Sequence, residues 1–309
     1  MDEHSPQGRL LSGLLSLSLL QLTTPDQSTL PRTRHLTPCE LPMIRTPDLS
    51  GHTVLALHAH PDDESIFTGI TLRRLADAGA RVVLVMATNG DMGESRTGLA
   101  AGESIAQRRT AELERSAELL GVDRLVLLDR RDSGLPGWAS NNHPLALAAA
   151  QPLALAGRIA EIAAAEGADT LIYDDESGIY GHPDHRMSHT IGAIAADIVG
   201  ATSYRMTVDR EHLHLAAPNG HLVHGAARSA KVAFGRTTAE ITLAITGDQR
   251  HLDIKRDAIA AHSSQIGPEH LPADLAPAYG YEWFVRSGAP GALDALGNAH
   301  FFAGLQAAA

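Results

Sequence analysis

Residues 52–88, HTVLALHAHPDDESIFTGITLRRLADAGARVVLVMAT, decide the fold. His52–His58 is a short run of β-branched and apolar residues, the pattern of a buried strand. Ser65–Ala78 reads as a helix closed by Gly79, and Arg81–Thr88 is a second continuous apolar strand. The alternation continues outward. Glu103–Leu120 is helical, with Ile105, Leu113, Ala117 and Leu120 on one stripe and Gly121 as its stop. Arg124–Leu128 is strand-like, and Pro152–Glu166 is an alanine-rich helix with proline at its first position and Gly167 at its end. Thr170–Tyr173 is the next strand, and Arg186–Val199 a helix whose Met187, Ile191, Ile194 and Ile198 share a face. Continuous apolar strands alternating with helices predict an α/β fold, a mostly parallel sheet with helices on both faces. In such sheets ligands sit at the carboxyl ends of the strands. Beyond residue 200 the pattern weakens: Leu252–Ala261 is helical and the rest mixes short strands and loops. No internal repeat and no linker to a second domain is visible.

The chain has 309 residues, 44% of them hydrophobic and 20% charged, which predicts a globular protein with a substantial core. A net charge of −11, with no basic stripe, argues against nucleic acid as a partner. No apolar run approaches the ~20 residues of a membrane span. The single cysteine, Cys39, excludes an internal disulfide and any multi-cysteine metal site. Residues 1–45 read differently from the rest. Leu10–Leu22 is apolar but broken by serine, glycine and glutamine, and the Met-Asp-Glu-His start lacks the basic region of an export signal. Pro25, Pro31, Pro38 and Pro42 among Ser, Thr and Gln mark an unstructured arm. The expectation is a flexible N-terminal extension over 1–45, with Met43 as an alternative start, ahead of one domain over 46–309 and a cytoplasmic location.

Two strand-to-helix junctions carry chemistry. The first is His60-Pro61-Asp62-Asp63-Glu64, the second Tyr180-Gly181-His182-Pro183-Asp184-His185. Proline and acidic residues suit a helix start on their own account, but the histidines are not explained that way. His60 and Asp63 are three apart, as are His182 and His185, so on a helical turn each pair shares a face. Both junctions follow strands of one parallel sheet and project from the same edge. Pooling them gives His60, Asp63 and His185 as a two-histidine, one-carboxylate set, the ligand count of a catalytic zinc site with an open position. Asp62 and His182 remain as acid–base groups. Water on a zinc ion ionises near pH ~7, so the expected reaction is hydrolysis of an amide or ester. Ferrous iron fits the same ligand types.

These two motifs together resemble the signatures of the PIG-L/LmbE family of zinc-dependent deacetylases, which act on N-acetylglucosaminyl conjugates. The resemblance covers residues 52–200 and includes Thr88-Asn89-Gly90, Arg109-Thr110-Ala111-Glu112-Leu113 and Arg131-Asp132-Ser133-Gly134; beyond it, Lys255–Gln265 is similar and ends His-Ser-Ser-Gln. It implies a Rossmann-like sheet in a single catalytic domain. It also implies zinc on His60, Asp63 and His185, with Asp62 as general base. His182 would stabilise the tetrahedral intermediate or protonate the leaving amine, and Tyr180 would polarise the acetyl carbonyl. Asp184 would orient a histidine, and Arg109 and Asp132 would contact sugar hydroxyls. The implied substrate is a small-molecule N-acetyl-sugar conjugate. The loop Asp174–Ile179 departs from the Gly-rich form of mycothiol-pathway members.

Competing readings stay open. An amidase cleaving a larger acyl group, such as a mycothiol S-conjugate amide, would share the chemistry. A non-haem iron oxygenase would share the ligand set. A metal-stabilised sugar-binding module would need neither Asp62 nor His182. No Gly-x-Gly-x-x-Gly follows the first strand, and Gly-x-Ser-x-Gly and P-loop patterns are absent. His58 and His189 are read as structural, Asp91 and Glu94 as open between the site's rim and solvated surface, and His262 and Gln265 as secondary. Oligomeric state is not read from the sequence.

Overall fold

In the computed structural model, residues 46–297 are described, so the extension expected over 1–45 lies outside the described residues. Strand β1 (Thr53–His58) leads to helix α1 (Asp63–Asp77), then β2 (Arg81–Thr88), α2 (Ile105–Leu120), β3 (Arg124–Arg130), α3 (Pro152–Glu166) and β4 (Thr170–Asp174). A kinked turn, α4 (Gly178–Gly181), precedes α5 (Pro183–Val199) and β5 (Thr202–Thr207). Then follow α6 (Arg210–Ala216), α7 (Leu222–Ala230), β6 (Leu243–Thr246), α8 (Gln249–Ala261), α9 (Ala276–Tyr279), β7 (Tyr281–Ser287) and α10 (Ala292–Leu296).

The strands form one sheet in the order β3-β2-β1-β4-β5-β7-β6. The run from β3 to β5 is parallel, and β7 and β6 extend it antiparallel. The side-chain alternation of a strand sorts the core into two layers. Val54 and Ala56 of β1 join Val82, Leu84 and Met86 of β2 against Leu72 and Leu75 of α1, Leu113 and Leu120 of α2 and Ile259 of α8. Leu55 and Leu57 join Val83 and Val85 against Ile159 and Ala163 of α3 and Ile191 and Ala195 of α5. Helices therefore cover both faces of a mostly parallel sheet, as the apolar runs predict.

Chain order reverses between β1 and β4, and at such a switch point an α/β sheet leaves a crevice outside the carboxyl ends of its strands. Of the boundaries that differ from the sequence expectation, three matter there. Helix α1 starts at Asp63, and α5 at Pro183, so His185 lies in a first turn. Strand β4 runs one residue further, to Asp174, and so delivers a carboxylate to the crevice. The C-terminal third holds more helix than expected, namely α6, α7, α9 and α10.

Candidate active site

The link from β1 to α1 is tightly held. The Asp62 backbone has φ 124°, a region that L-residues rarely adopt and that costs about 1–3 kcal/mol. Its surroundings fix it there. Asp62 N–H donates to Glu64 Oε2 at 2.9 Å, and Asp62 C=O accepts from Ser65 N–H and Ile66 N–H at 3.1 and 3.0 Å. Glu64 is itself anchored, accepting from Ser116 Oγ at 2.5 Å and from His262 Nε2 at 2.7 Å. The same link turns His60 and Asp63 toward one another. Asp63 Oδ2 accepts His60 N–H at 2.8 Å and lies 3.4 Å from His60 Nδ1.

The link from β4 to α5 is strained as well. Asp175 Oδ1 accepts from Ser177 N–H, Ser177 Oγ and Ile179 N–H, while its Oδ2 accepts from Thr207 Oγ1. This knot holds buried Ile179 at φ 54°, an outlier for a β-branched residue. The bend turns Tyr180 back so that its hydroxyl is 3.2 Å from His185 Nε2. His182 then caps α5, its Nδ1 accepting Asp184 N–H at 3.2 Å.

Both junctions meet in the crevice. Asp63 Oδ2 lies 3.5 Å from His185 Nε2, and the His60 and His185 rings are 5.1 Å apart. His182 stands edge-on to His60 at 4.6 Å. Nitrogen atoms of His60, His182 and His185 fall within 4.8 Å of one another, and so do donor atoms of His60, Asp132, His182 and Asp184. Asp184 Oδ2 accepts from His60 Nε2 at 3.2 Å and from Ser133 N–H at 2.8 Å, which ties the Arg131–Gly134 loop to the site. Asp132 Oδ1 lies 3.6 Å from His60 Nε2 and accepts Gly134 N–H at 2.8 Å. Asp91 accepts from Arg131 Nε and Asp132 N–H, so it shapes this loop.

The sequence reading missed Asp174. Its Oδ1 accepts from His185 Nδ1 at 2.7 Å, both side chains being fully buried. That bond commits the Nδ1 proton and leaves Nε2 for a ligand, the carboxylate–histidine arrangement common behind metals. The available signal was only a carboxylate at a strand end. His189 Nδ1 bonds the Asp174 carbonyl at 3.0 Å and serves the backbone. His58 bonds Thr68 Oγ1 at 2.9 Å and is buried behind the site.

Electrostatics favour a cation here. Asp63, Asp132, Asp174 and Asp184 are all buried, and Asp174 Oδ2 has no hydrogen-bond partner. Buried charge of one sign is costly unless paired or bound to metal. Burial opposes a charged His60, yet the Asp132, Asp184 and Asp63 carboxylates hold its pKa well above the ordinary value. Burial likewise opposes a charged His185, and the Asp174 and Asp63 carboxylates raise it to about 9. Burial pushes His182 down to about 2, helped by the His60 and His185 charges. The donor set is thus buried, net acidic and able to exchange protons for a divalent cation. Asp174→Asn is expected to weaken metal binding about 10–100-fold while preserving the fold. Competition with a chromophoric chelator measures this, and unchanged affinity would remove Asp174 from the account.

Asp62 lies beside this cluster and retains partial exposure. Burial raises its carboxyl pKa, opposed by the Arg109 guanidinium. Arg109 is itself buried, donating to the Pro61 and Gly90 carbonyls and, at 3.2 Å, to Asp62 Oδ2. Because Arg109 holds the Asp62 pKa down, Arg109→Gln is expected to move the acid limb of kcat/KM to higher pH. A limb that stays put would show that Asp62 does not set it.

The PIG-L family model, described as GlcNAc-PI de-N-acetylase, matches residues 55–196. A 1D-myo-inositol 2-acetamido-2-deoxy-α-D-glucopyranoside deacetylase of Kineococcus radiotolerans is 41% identical over 172 residues, 50% of this chain and 47% of that protein. One of the same name from Acidothermus cellulolyticus is 35% identical over 233 residues, 69% of this chain and 80% of that protein. Among solved structures, a deacetylase of the teicoplanin biosynthesis pathway superposes with a TM-score of 0.50 at 19% identity, covering 77% of this chain and 100% of that one. The 4-carboxy-2-hydroxymuconate hydratase of Pseudomonas putida KT2440 also gives 0.50, at 15% identity over 78% and 98% of the two chains.

Proposed function

This chain belongs to the PIG-L family, and from that premise we propose that it is a metal-dependent hydrolase removing the acetyl group from the amide nitrogen of an N-acetylglucosaminyl conjugate. The observation that carries the reading is Asp62 standing beside Asp63 Oδ2, which lies 3.4 and 3.5 Å from nitrogens of His60 and His185. We assign His60, Asp63 and His185 as ligands of zinc, with ferrous iron as the alternative that metal analysis decides. A divalent cation held there supplies Lewis acidity for the amide carbonyl and for the attacking water.

The chain's own groups do the rest. Asp62 takes a proton from the attacking water as its oxygen bonds the carbonyl carbon, then delivers it to the amide nitrogen as the C–N bond breaks. Free amine and acetate leave. His182 Nδ1 accepts a backbone N–H. The ring is therefore neutral, and its free Nε2–H donates to the developing oxyanion. That favours oxyanion stabilisation by His182 over protonation of the amine. Burial keeps the Tyr180 phenol protonated, so its hydroxyl is a second donor to the carbonyl oxygen. Asp184 and Asp174 act through His60 and His185. Asp132 is assigned to the sugar. Arg109, expected on sugar hydroxyls, is assigned instead to holding Asp62, because it is buried and its Nη groups donate to Pro61, Gly90 and Asp62, while its Nε is buried without a partner.

The hydratase of similar fold means that fold alone does not choose the reaction. The names of the 35–41% identical relatives support N-acetylglucosaminyl-inositol as the substrate to try first. Incubation with it, with simple N-acetylglucosamine glycosides and with a mycothiol conjugate tests the reading. Equal amounts of acetate and free amine are expected. A larger acyl group released without acetate would favour the amidase, and no release from metal-loaded protein would overturn hydrolysis.

A further inference from the structure

A cavity of about 530 Å³ lies outside the active site, between α6, α7 and the segment that follows α7. Arg210, His214, His224, Arg228 and Lys231 line it, and no acidic residue does. That is unexpected in a chain of net charge −11. Among the described residues, Arg210, Arg228 and Lys231 form no ion pair, whereas most of the other arginines do. Arg210 Nη1 donates to the Phe234 and Gly235 carbonyls at 3.2 and 3.4 Å, and Arg228 Nη1 to Asn219 Oδ1 at 2.9 Å. Both guanidinium groups are thereby oriented without being neutralised.

The second observation is independent of charge. His224 is only 7% exposed, and its Nδ1 donates to the His221 carbonyl at 3.1 Å. Its Nε2 is buried with no hydrogen-bond partner, and the residue lines the cavity. A buried polar atom of this kind costs free energy until something pairs with it. The convergent unpaired cations match a compact oxyanion, and the acceptor nitrogen of the neutral imidazole matches a P–OH on it.

We propose that this cavity is a phosphate site, in which Arg210, Arg228 and Lys231 hold the phosphate oxygens and His224 Nε2, an acceptor, takes the P–OH of the monoprotonated group. The site is coupled to the strained loop that carries Tyr180. The segment leaving Lys231 sets Val232 against Gly181, where an added Cβ would come within 3.2 Å of it. Gly235 N–H donates to the Ile179 carbonyl at 2.7 Å, and Arg236 pairs with Glu176. Phosphate bound beside Lys231 would order this segment and with it the loop.

The phosphate comes either as the free anion or as a group on a sugar. Calorimetry on the metal-loaded protein with inorganic phosphate and, separately, with N-acetylglucosamine 1-phosphate distinguishes these, the tighter ligand naming the source. Saturable binding is expected, weakened about tenfold or more in Arg228→Gln/Lys231→Gln. Both residues are exposed, so the variant is expected to fold and to keep its phosphate-free activity. Phosphate should also shift the His224 Nε2 resonance, identified by its loss in His224→Gln. No saturable binding, or binding that the double variant leaves unchanged, would overturn the proposal. The second result would move the anion to the metal. The test is independent of the catalytic reading, since it needs no turnover.

Discussion

Asp62→Asn is expected to retain bound metal and lose at least about 100-fold in kcat, the usual contribution of a general base. The substitution is isosteric. Asparagine also tolerates positive φ better than most residues, so the 124° backbone is preserved. Glu64 Oε2, the Asp62 carbonyl contacts and Arg109 continue to hold the link. What changes is the capacity to accept a proton at a position just outside the ligand set. Near-normal turnover in a variant of unchanged metal content would remove Asp62 from the mechanism.

His185→Ala is expected to abolish both tight metal binding and activity. His185 contributes one nitrogen to the set and is oriented from behind by Asp174 at 2.7 Å. Removing it leaves the Asp174 and Asp63 carboxylates buried without their imidazole, so destabilisation of the metal-free protein accompanies the loss. His182→Ala is the control. His182 lies in the same cluster, but in this account it donates to substrate, so its variant keeps stoichiometric metal while losing turnover. Metal analysis after gel filtration separates the two. Absence of metal in His182→Ala would require the three-histidine grouping instead, and stoichiometric metal in His185→Ala the grouping of His60, Asp132, His182 and Asp184.

Much of the fold was legible because β1, β2 and β4 are buried on both faces and read as unbroken apolar runs. Strands β5 (TSYRMT) and β7 (YEWFVRS) mix polar with apolar residues and gave no such signal. Part of the reason lies in β7: Glu282 is buried there, paired with Lys255 at 2.6 Å, and such a pair resembles surface in a hydrophobicity pattern. Helix α6, seven residues long, is too short to show a clear period, and α7 spans only nine.

The site divides in the same way. His60 and Asp63, like His182 and His185, are paired three apart across a helix start, so local spacing reveals them, although His60 precedes α1 and His182 caps α5. Asp174 is invisible locally, since its partner is chosen by how α5 returns across β4. Glu64 reads as an ordinary helix-start acid, yet it bonds His262, 198 residues away. The His-Ser-Ser-Gln segment is brought to the site by Glu112, which accepts from Ser264 N–H and Oγ. No sequence pattern announces these pairings. They depend on how α8 packs against α1 and α2.

The most direct test is a metal titration of chelator-stripped protein while acetate release from N-acetylglucosaminyl-inositol is followed. The account predicts no release at the start, then a rise in proportion to bound zinc that stops at one equivalent, with one free amine per acetate. Full acetate release by the stripped protein would contradict it, because the cluster around His60, Asp63 and His185 would then have no part in the reaction.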